Sequence, residues 1–388
     1  MLGKQSLPSL AVILAAFFLY RHLAQDHLAQ ELSLSLGFGL FAGLVLQRSR
    51  FCFYCVSRDF LEKRNASGLL GILTALAVGT LGYHAIFGAF MPTPIEGRLP
   101  PGAHIGPVSI ALVIGGLAFG FGMAVAGSCI SAQLYRLGEG ALTAPLALLG
   151  TVIGFVLGLL TWNTIYLRFM QDAPVIWLPH HLGYAGSLIV QLLLIGGLAV
   201  ILVRFHQPSQ TQSSELTSVS STWWCSRWPT YVGGILLGAL GTIAFLRIAP
   251  LGVTAELGSL ARTLANHQGW LPSRLEGLDT FRGCATAVKA SLWSNNGVFV
   301  IGLVLASLAS ALLWGDFKPK WPSRNEVLRS LLGGILMGWG ATLALGCTVG
   351  TLLSGIMAAA LSGWVFLGSA GGGLVAGWLS RKHWPSST

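Results

Sequence analysis

Ionisable side chains are what this chain lacks. Of its 388 residues only 9% are Asp, Glu, Lys or Arg, and only 13 are acidic. An ordinary soluble domain carries about 25% charged residues. With 53% hydrophobic residues and a mean hydropathy of +0.70, a water-soluble fold could not hide its apolar surface, so the solvent must be lipid. Asp and Glu are nearly absent from the apolar runs, which argues against a carboxylate proton relay of the kind many pumps use. No GxxxxGK[ST] loop occurs, so the chain hydrolyses no nucleotide. No second CxxC and no HxxxH accompanies Cys52 and Cys55, which leaves any zinc site short of ligands; no metal and no cofactor is expected. Nothing reads as a nucleic-acid module. The six cysteines lie mostly in or beside apolar segments, unlike a secreted disulfide framework.

Glycine and tryptophan, in contrast, are plentiful, at 51 and 13 residues. Glycine lets membrane helices approach closely, and tryptophan favours the lipid–water boundary. Apolar runs lie near 7–20, 34–47, 68–91, 108–127, 142–162, 184–206, 230–249, 297–314, 327–346 and 363–380. These are ten candidate spans, some shorter than the roughly 20 residues that cross a bilayer unaided. The first begins after Lys4 and is followed by Arg21-His22 rather than a cleavage site, so it reads as an uncleaved helix. The basic segments 48–64, 315–329 and the tail (Arg381, Lys382) fall on one side of an alternating ten-span chain, and the Pro-rich loop 92–106 on the other. The excess of Lys and Arg on cytoplasmic loops then explains the net charge of +10 and places both termini in the cytoplasm. The stretch 250–296, with Arg262, Arg274, Arg282 and Lys289, is the misfit; part of it is expected to re-enter the membrane.

One pattern occurs twice. Gly120 to Cys129 and Gly338 to Cys347 align without a gap, each led by a glycine pair, Gly115-Gly116 and Gly333-Gly334. The first copy lies on the fourth run and the second on the ninth, so the two cross in opposite senses. Inverted repeats of this kind build transporters, with the substrate site at the repeat interface. The expected fold is all-α, with nine to ten transmembrane helices and short re-entrant helices. The expected parts are an extra helix (1–33), a first repeat half with a joining span (34–206), a polar linker (207–228), a second half (229–381) and a tail (382–388). Four stretches, 51–62, 130–137, 251–264 and 349–358, are too short or broken to span. Non-helical backbone at membrane depth is tolerated where it is buried in protein or lines a cavity, and the positive end of a short helix there attracts an anion.

Cys129 and Cys347 are the first candidates for the substrate path. Each follows a glycine break (Gly127 and Gly346), with Ser128, Ser131 and Thr348 adding hydroxyls. Thiols and hydroxyls can hydrogen-bond a soft sulfur anion without holding it fast. The plainer reading of any one such Cys is a small buried hydrophobe; matched positions after glycine in both copies weigh against it. The expectation is that the two kinks come together inside the lipid. Cys52 reads either as lining the same path or as packing. With Cys55 it could also serve thiol–disulfide chemistry. Cys284, in Arg282-Gly283-Cys284, resembles the other glycine-cysteine breaks, and Arg50, Arg282 and Lys289 could attract anions or simply anchor the interface. Cys225 reads as a bystander, and His180-His181 as a solvated loop.

At Arg48 to Phe53, Gly120 to Gly140, Asn296 to Phe317 and above all Gly333 to Gly355, the chain resembles the YeeE/YedE family of bacterial inner-membrane sulfur transporters, which includes thiosulfate permeases. The resemblance covers about 34–380. It implies about nine spans with short helices dipping in from both sides to form an hourglass. It also implies three path cysteines, here Cys52, Cys129 and Cys347, that pass thiosulfate along through S–H···S contacts. A cytoplasmic sulfur carrier of the TusA type is the implied partner, and some relatives are linked to selenium. The reading is a permease importing thiosulfate or a similar small sulfur anion. Its rivals are a membrane thiol oxidoreductase, a selenium-compound transporter of the same family and a passive anion channel.

Overall fold

A computed structural model describes residues 6–25, 30–95, 98–207, 227–250, 252–278 and 293–382. Every apolar run forms a helix. In chain order they are α1 (Ser6–Ala24), α2 (Gln30–Ser49), α3 (Phe53–Lys63), α4 (Ser67–Phe90), α5 (Ile110–Ala126), α6 (Ile130–Gly138), α7 (Thr143–Ile165) and α8 (Leu178–Arg204). Then follow α9 (Thr230–Arg247), α10 (Val253–His267), α11 (Asn295–Trp314), α12 (Arg324–Leu343), α13 (Gly355–Met357) and α14 (Leu361–Lys382). Among the described residues, eight helices are long and apolar enough to cross a membrane. With them α12 and the π-helical turn Thr348–Ser354 that runs into α13 pass the same test only as a pair, bent by 43° at the break between them. The 22-residue α14 is long enough as well, its apolar character diluted by six glycines. The protein is an all-α, multi-pass membrane protein. The four stretches too short to span are α3, α6, α10 and the Thr348–Met357 segment. His180 and His181 lie in a single helical turn, 178–182, that Pro179 opens and that the non-helical Gly183 (φ 68°, ψ 173°) separates from the long part of α8.

Glycines set the arrangement. A methyl group at Gly115 would strike Gly340 and Leu343, and one at Gly122 would strike Gly333 and Leu336. Contacts that ascend on α5 while descending on α12 mean that the two cysteine-bearing helices run antiparallel. On their flanks, α14 runs parallel to α5 (Gly116 on Ala370, Gly120 on Leu374), and α7 runs parallel to α12 (Gly150 on Leu331, Gly154 on Ile335, Gly158 on Thr342). Likewise α11 lies parallel to α2 (Gly39 on Phe299, Gly43 on Leu303), as α9 does to α4 (Gly234 on Ala75, Gly238 on Gly79). Exchanging α2, α4, α5 and α7 with α9, α11, α12 and α14 reproduces every pairing. That is a pseudo-two-fold relation between oppositely directed halves, and backbone-to-backbone glycine contact is what makes it tight.

One end of the bundle, called the basic face here, gathers Arg48, Arg50, Arg58, Arg136 and Arg381. It is tied together by Gln47 Nε2 donating to Glu139 Oε1 (3.3 Å) and Asp316 Oδ2 (3.1 Å), and by the Gln207 N–H on Arg64 O (3.0 Å). At the opposite face the extended segment 103–109 and residues 174–178 clasp the α13 turn. The Leu178 N–H reaches Ala359 O (3.0 Å), Leu361 N–H reaches Ile176 O (3.1 Å) and Trp177 Nε1 reaches Ala358 O (3.0 Å). Helix α1 runs antiparallel to α11: Ser9 Oγ bonds Ala309 O at 3.1 Å, whereas Leu23 packs with Val298.

Candidate functional site

Each of the three buried cysteines stands at the N-cap of a short helix. Cys52 caps α3, its sulfur accepting the Cys55 N–H at 3.4 Å. Cys129 caps α6, and Cys347 caps the π-helical turn, accepting the Val349 N–H at 3.4 Å. The local cause is chain geometry. Gly127 closes α5 with φ 78°, a left-handed conformation that suits a residue without Cβ, and turns the chain out of the helix. At the second break the left-handed residue is Leu345, at φ 55°, not Gly346; Gly346 is needed because a side chain there would run into Thr351. The first turn of a helix leaves N–H groups unsatisfied and carries the positive end of the dipole. Three thiols therefore sit where backbone donors point.

The kinks are not brought together as expected. Because α5 and α12 are antiparallel and each ends at its break, Cys129 lies beyond one end of the pair and Cys347 beyond the other. The eleven steps from Gly115, which meets the end of α12, to Ala126 set those ends roughly 16 Å apart along the axis. Each thiol has its own partner instead. Cys129 Sγ lies 4.0 Å from Cys52 Sγ and 3.3 Å from Ser131 Oγ. Cys347 Sγ accepts a hydrogen bond from Thr254 Oγ1 at 3.1 Å. Thr254 is on the first turn of α10, the counterpart of α3 in the other half. The site is thus two matched stations, thiol with thiol and thiol with hydroxyl. Sequence reasoning missed Thr254; its one signal was that 251–264 formed a broken stretch.

Between the stations lies a cavity of about 40 Å³. Its wall takes residues from both members of four repeat pairs, though none from α5, α12, α7 or α14: Leu46 and Leu237 from α2 and α9, Ala75 and Phe299 from α4 and α11, Phe53 and Val253 from α3 and α10, and Ser131 and Val349 from the two segments headed by Cys129 and Cys347. The cavity therefore sits on the pseudo-two-fold axis. None of the three cysteines lines the cavity; Phe51 and Phe53 of its wall flank Cys52, Ser131 lies two residues after Cys129 and Val349 two after Cys347. It has room for about one water molecule and is lined by apolar groups apart from Ser131 and Ser354.

Of the other expected site residues, Ser128 is buried beside Cys129 with its hydroxyl unpartnered, and Thr348 is buried at the start of the π-helical turn. Arg50 is exposed on the basic face; burial raises the nearby Glu139 carboxyl above its ordinary value, and the Arg50 charge offsets only part of that push. Cys284, Arg282, Lys289, Cys225 and most of the polar linker lie outside the described residues. His104, which drew no attention in the sequence, lies against Gly350 of the π-helical turn, and burial pushes its imidazole down to about 4. No group of three or more His, Cys, Asp or Glu fit to hold a metal occurs among the described residues.

A family model described as Sulphur transport matches residues 48–376. The chain belongs to this sulphur transport family. The match starts after α1, leaving that helix outside, and takes in all three capping cysteines. Curated relatives include the thiosulfate transporter TsuA of Escherichia coli (strain K12), 26% identical over 85% of this chain and 88% of the relative. The TsuA of Spirochaeta thermophila is 28% identical over 84% of this chain and 92% of the relative. A probable transporter of Escherichia coli, YedE, is 29% identical over 48% of this chain and 45% of its own length. Membership of this family makes the chain a transporter rather than an enzyme.

Proposed function

We propose that this protein imports thiosulfate, or a closely related small sulfur oxyanion, along the axis between its two repeat halves. The observation that supports this best is the axial cavity flanked by helix N-termini capped by Cys52, Cys129 and Cys347. The anion enters from the opposite face, meets Thr254 and Cys347, crosses the axial cavity and reaches Cys129 and Cys52 before leaving at the basic face. At each station a thiol or hydroxyl donates one hydrogen bond, while the helix dipole supplies partial positive charge. Weak donors in series suit transport, since each site must release what it binds. The names of the TsuA relatives agree with this substrate. The excess of Lys and Arg on the basic face supports its assignment to the cytoplasm and the whole to the bacterial inner membrane, with both termini inside. The packing symmetry favours the division into an extra helix, two halves and a linker. A TusA-type carrier is the partner expected to receive the sulfur on the basic face.

The test is uptake of ³⁵S-labelled thiosulfate by a sulfur-starved host lacking its own importers, with sulfate, sulfite and selenite as competitors. Uptake should depend on this chain and fall sharply in Cys129→Ser and Cys347→Ser variants that still reach the membrane. Wild-type uptake by both variants would remove the thiol mechanism, and uptake of sulfate in preference to thiosulfate would remove the substrate.

A further inference from the structure

From the inner station, sulfur chemistry continues toward the basic face. Cys55, half-buried one turn along α3 from Cys52, accepts a hydrogen bond from Arg136 Nη2 at 3.4 Å. Arg136 lies on α6, whose cap is Cys129, and its Nη1 reaches back to Gly127 O at 3.5 Å. One guanidinium therefore joins the two cysteine-capped helices at the exit from the Cys52–Cys129 pair.

A structural reading of Arg136 is that it closes the end of α5. That duty is already met by Arg381, which donates to Ala124 O at 3.3 Å and to Tyr54 OH at 3.0 Å. Among the described residues no carboxylate lies within ion-pair distance of Arg136; nearby Arg58 pairs with Asp59 (3.2 Å) and Glu62 (3.8 Å), and Glu139 bonds Gln47 at 3.3 Å. A guanidinium has five N–H donors in a planar fork, and only two contacts are made here, one to a neutral thiol and one long. A half-buried guanidinium at the basic face, with Glu139 near in charge but outside ion-pair distance, keeps donors free for an anion. An independent sign is Ser128: its hydroxyl, wholly buried between Gly127 and Cys129, has no hydrogen-bond partner. At the second break the neighbours differ: Cys347 has the Thr254 hydroxyl, and His104 lies against Gly350.

We infer that Arg136 and Cys55 form a third station, a binding site at the inner mouth for an oxyanion that also carries a soft sulfur. The guanidinium fork takes two oxygens, and the Cys55 thiol, freed from Arg136, donates to the sulfur end. This rests on the transport reading above and adds to it the residue that supplies full positive charge.

The test is charge-selective labelling of Cys55 in the full-length protein in detergent, read by peptide mass spectrometry. Two methanethiosulfonates are compared, one carrying a sulfonate and one a trimethylammonium group. In the wild type the anionic reagent should label Cys55 about tenfold faster than the cationic one, as expected for a charge held within a few ångströms, and thiosulfate should slow both. Arg136→Gln should lose the preference and the protection. Arg136→Lys should keep the preference but protect less, since an ammonium lacks the fork. Equal labelling by both reagents in wild type, no protection by thiosulfate, or an unchanged preference in Arg136→Gln would overturn the site. The wild-type measurement decides the matter even if a variant misfolds. Protection without cellular uptake would fault the transport reading and leave the site standing; uptake without protection would do the reverse.

Discussion

Replacing Thr254 with valine removes a hydroxyl and keeps the shape. The side chain is buried and its Oγ1 lies 3.1 Å from Cys347 Sγ. As a structural contact, a neutral hydrogen bond of this kind contributes about 1 kcal/mol. If the same hydroxyl turns to a passing oxyanion, the bond becomes charge-assisted and contributes roughly 1.5–3 kcal/mol. At substrate concentrations well below KM, that loss should lower initial uptake by roughly ten- to a hundredfold, taking about 1.4 kcal/mol per factor of ten. Thr254→Ser should restore most of the rate. Thr254→Cys should retain part of it, because it copies onto this half the thiol pair found at Cys52 and Cys129. The assay is the initial rate of labelled thiosulfate uptake over a concentration series, with thermal unfolding of each purified variant as a check on folding. A folded Thr254→Val protein with the wild-type rate, or a Thr254→Ser protein as impaired as the valine variant, would refute the reasoning.

Other consequences can be checked directly. Gly340→Ala places a methyl group on the Gly115 carbonyl and should destabilise by about 2 kcal/mol, whereas Gly196→Ala, with nothing within 4 Å, should stabilise by roughly 0.5–1 kcal/mol; thermal melts in one detergent compare them. Gln191→Leu strands the Trp364 N–H, now bonded at 2.8 Å, and takes from the Ile356 carbonyl one of its two donors (2.6 Å), leaving the Ala359 N–H; it should cost about 2 kcal/mol while loosening the α13 turn, read as faster hydrogen exchange there. Burial holds His104 near 4 against an ordinary value of 6.5, so the folded state binds fewer protons than the unfolded one between those values. Its stabilisation is complete above 6.5 and lost as pH falls toward 4, by at most about 3 kcal/mol and roughly half that for a partly open ring. His104→Gln should flatten that part of the pH–melting curve.

Much of the bundle could be read from the chain because hydropathy, glycine spacing and loop charge are local signals. The ten runs, the four short helices and the opposed senses of α5 and α12 follow from them. The partners of the thiols could not be read this way. Cys129 and Cys347 are alike in sequence, which suggested a pair, yet an inverted repeat sends like positions to opposite ends of the antiparallel helices. Cys52 finds Cys129 across 77 positions and Thr254 finds Cys347 across 93, distances over which one sequence carries no pairing signal. Arg136 was visible only as part of a family-like segment. Its lack of a carboxylate partner is a property of the packed structure.

The seams where glycine backbones touch leave no slack: α5, α12, α7 and α14 cannot slide or tilt past one another without opening voids or driving carbonyls together. Whatever motion admits an ion must then be confined to the cysteine-headed half-helices, whose turns are held by a few hydrogen bonds. The carrier would work as a fixed frame with two small independent shutters, and a covalent tether between α5 and α12 should leave its turnover intact.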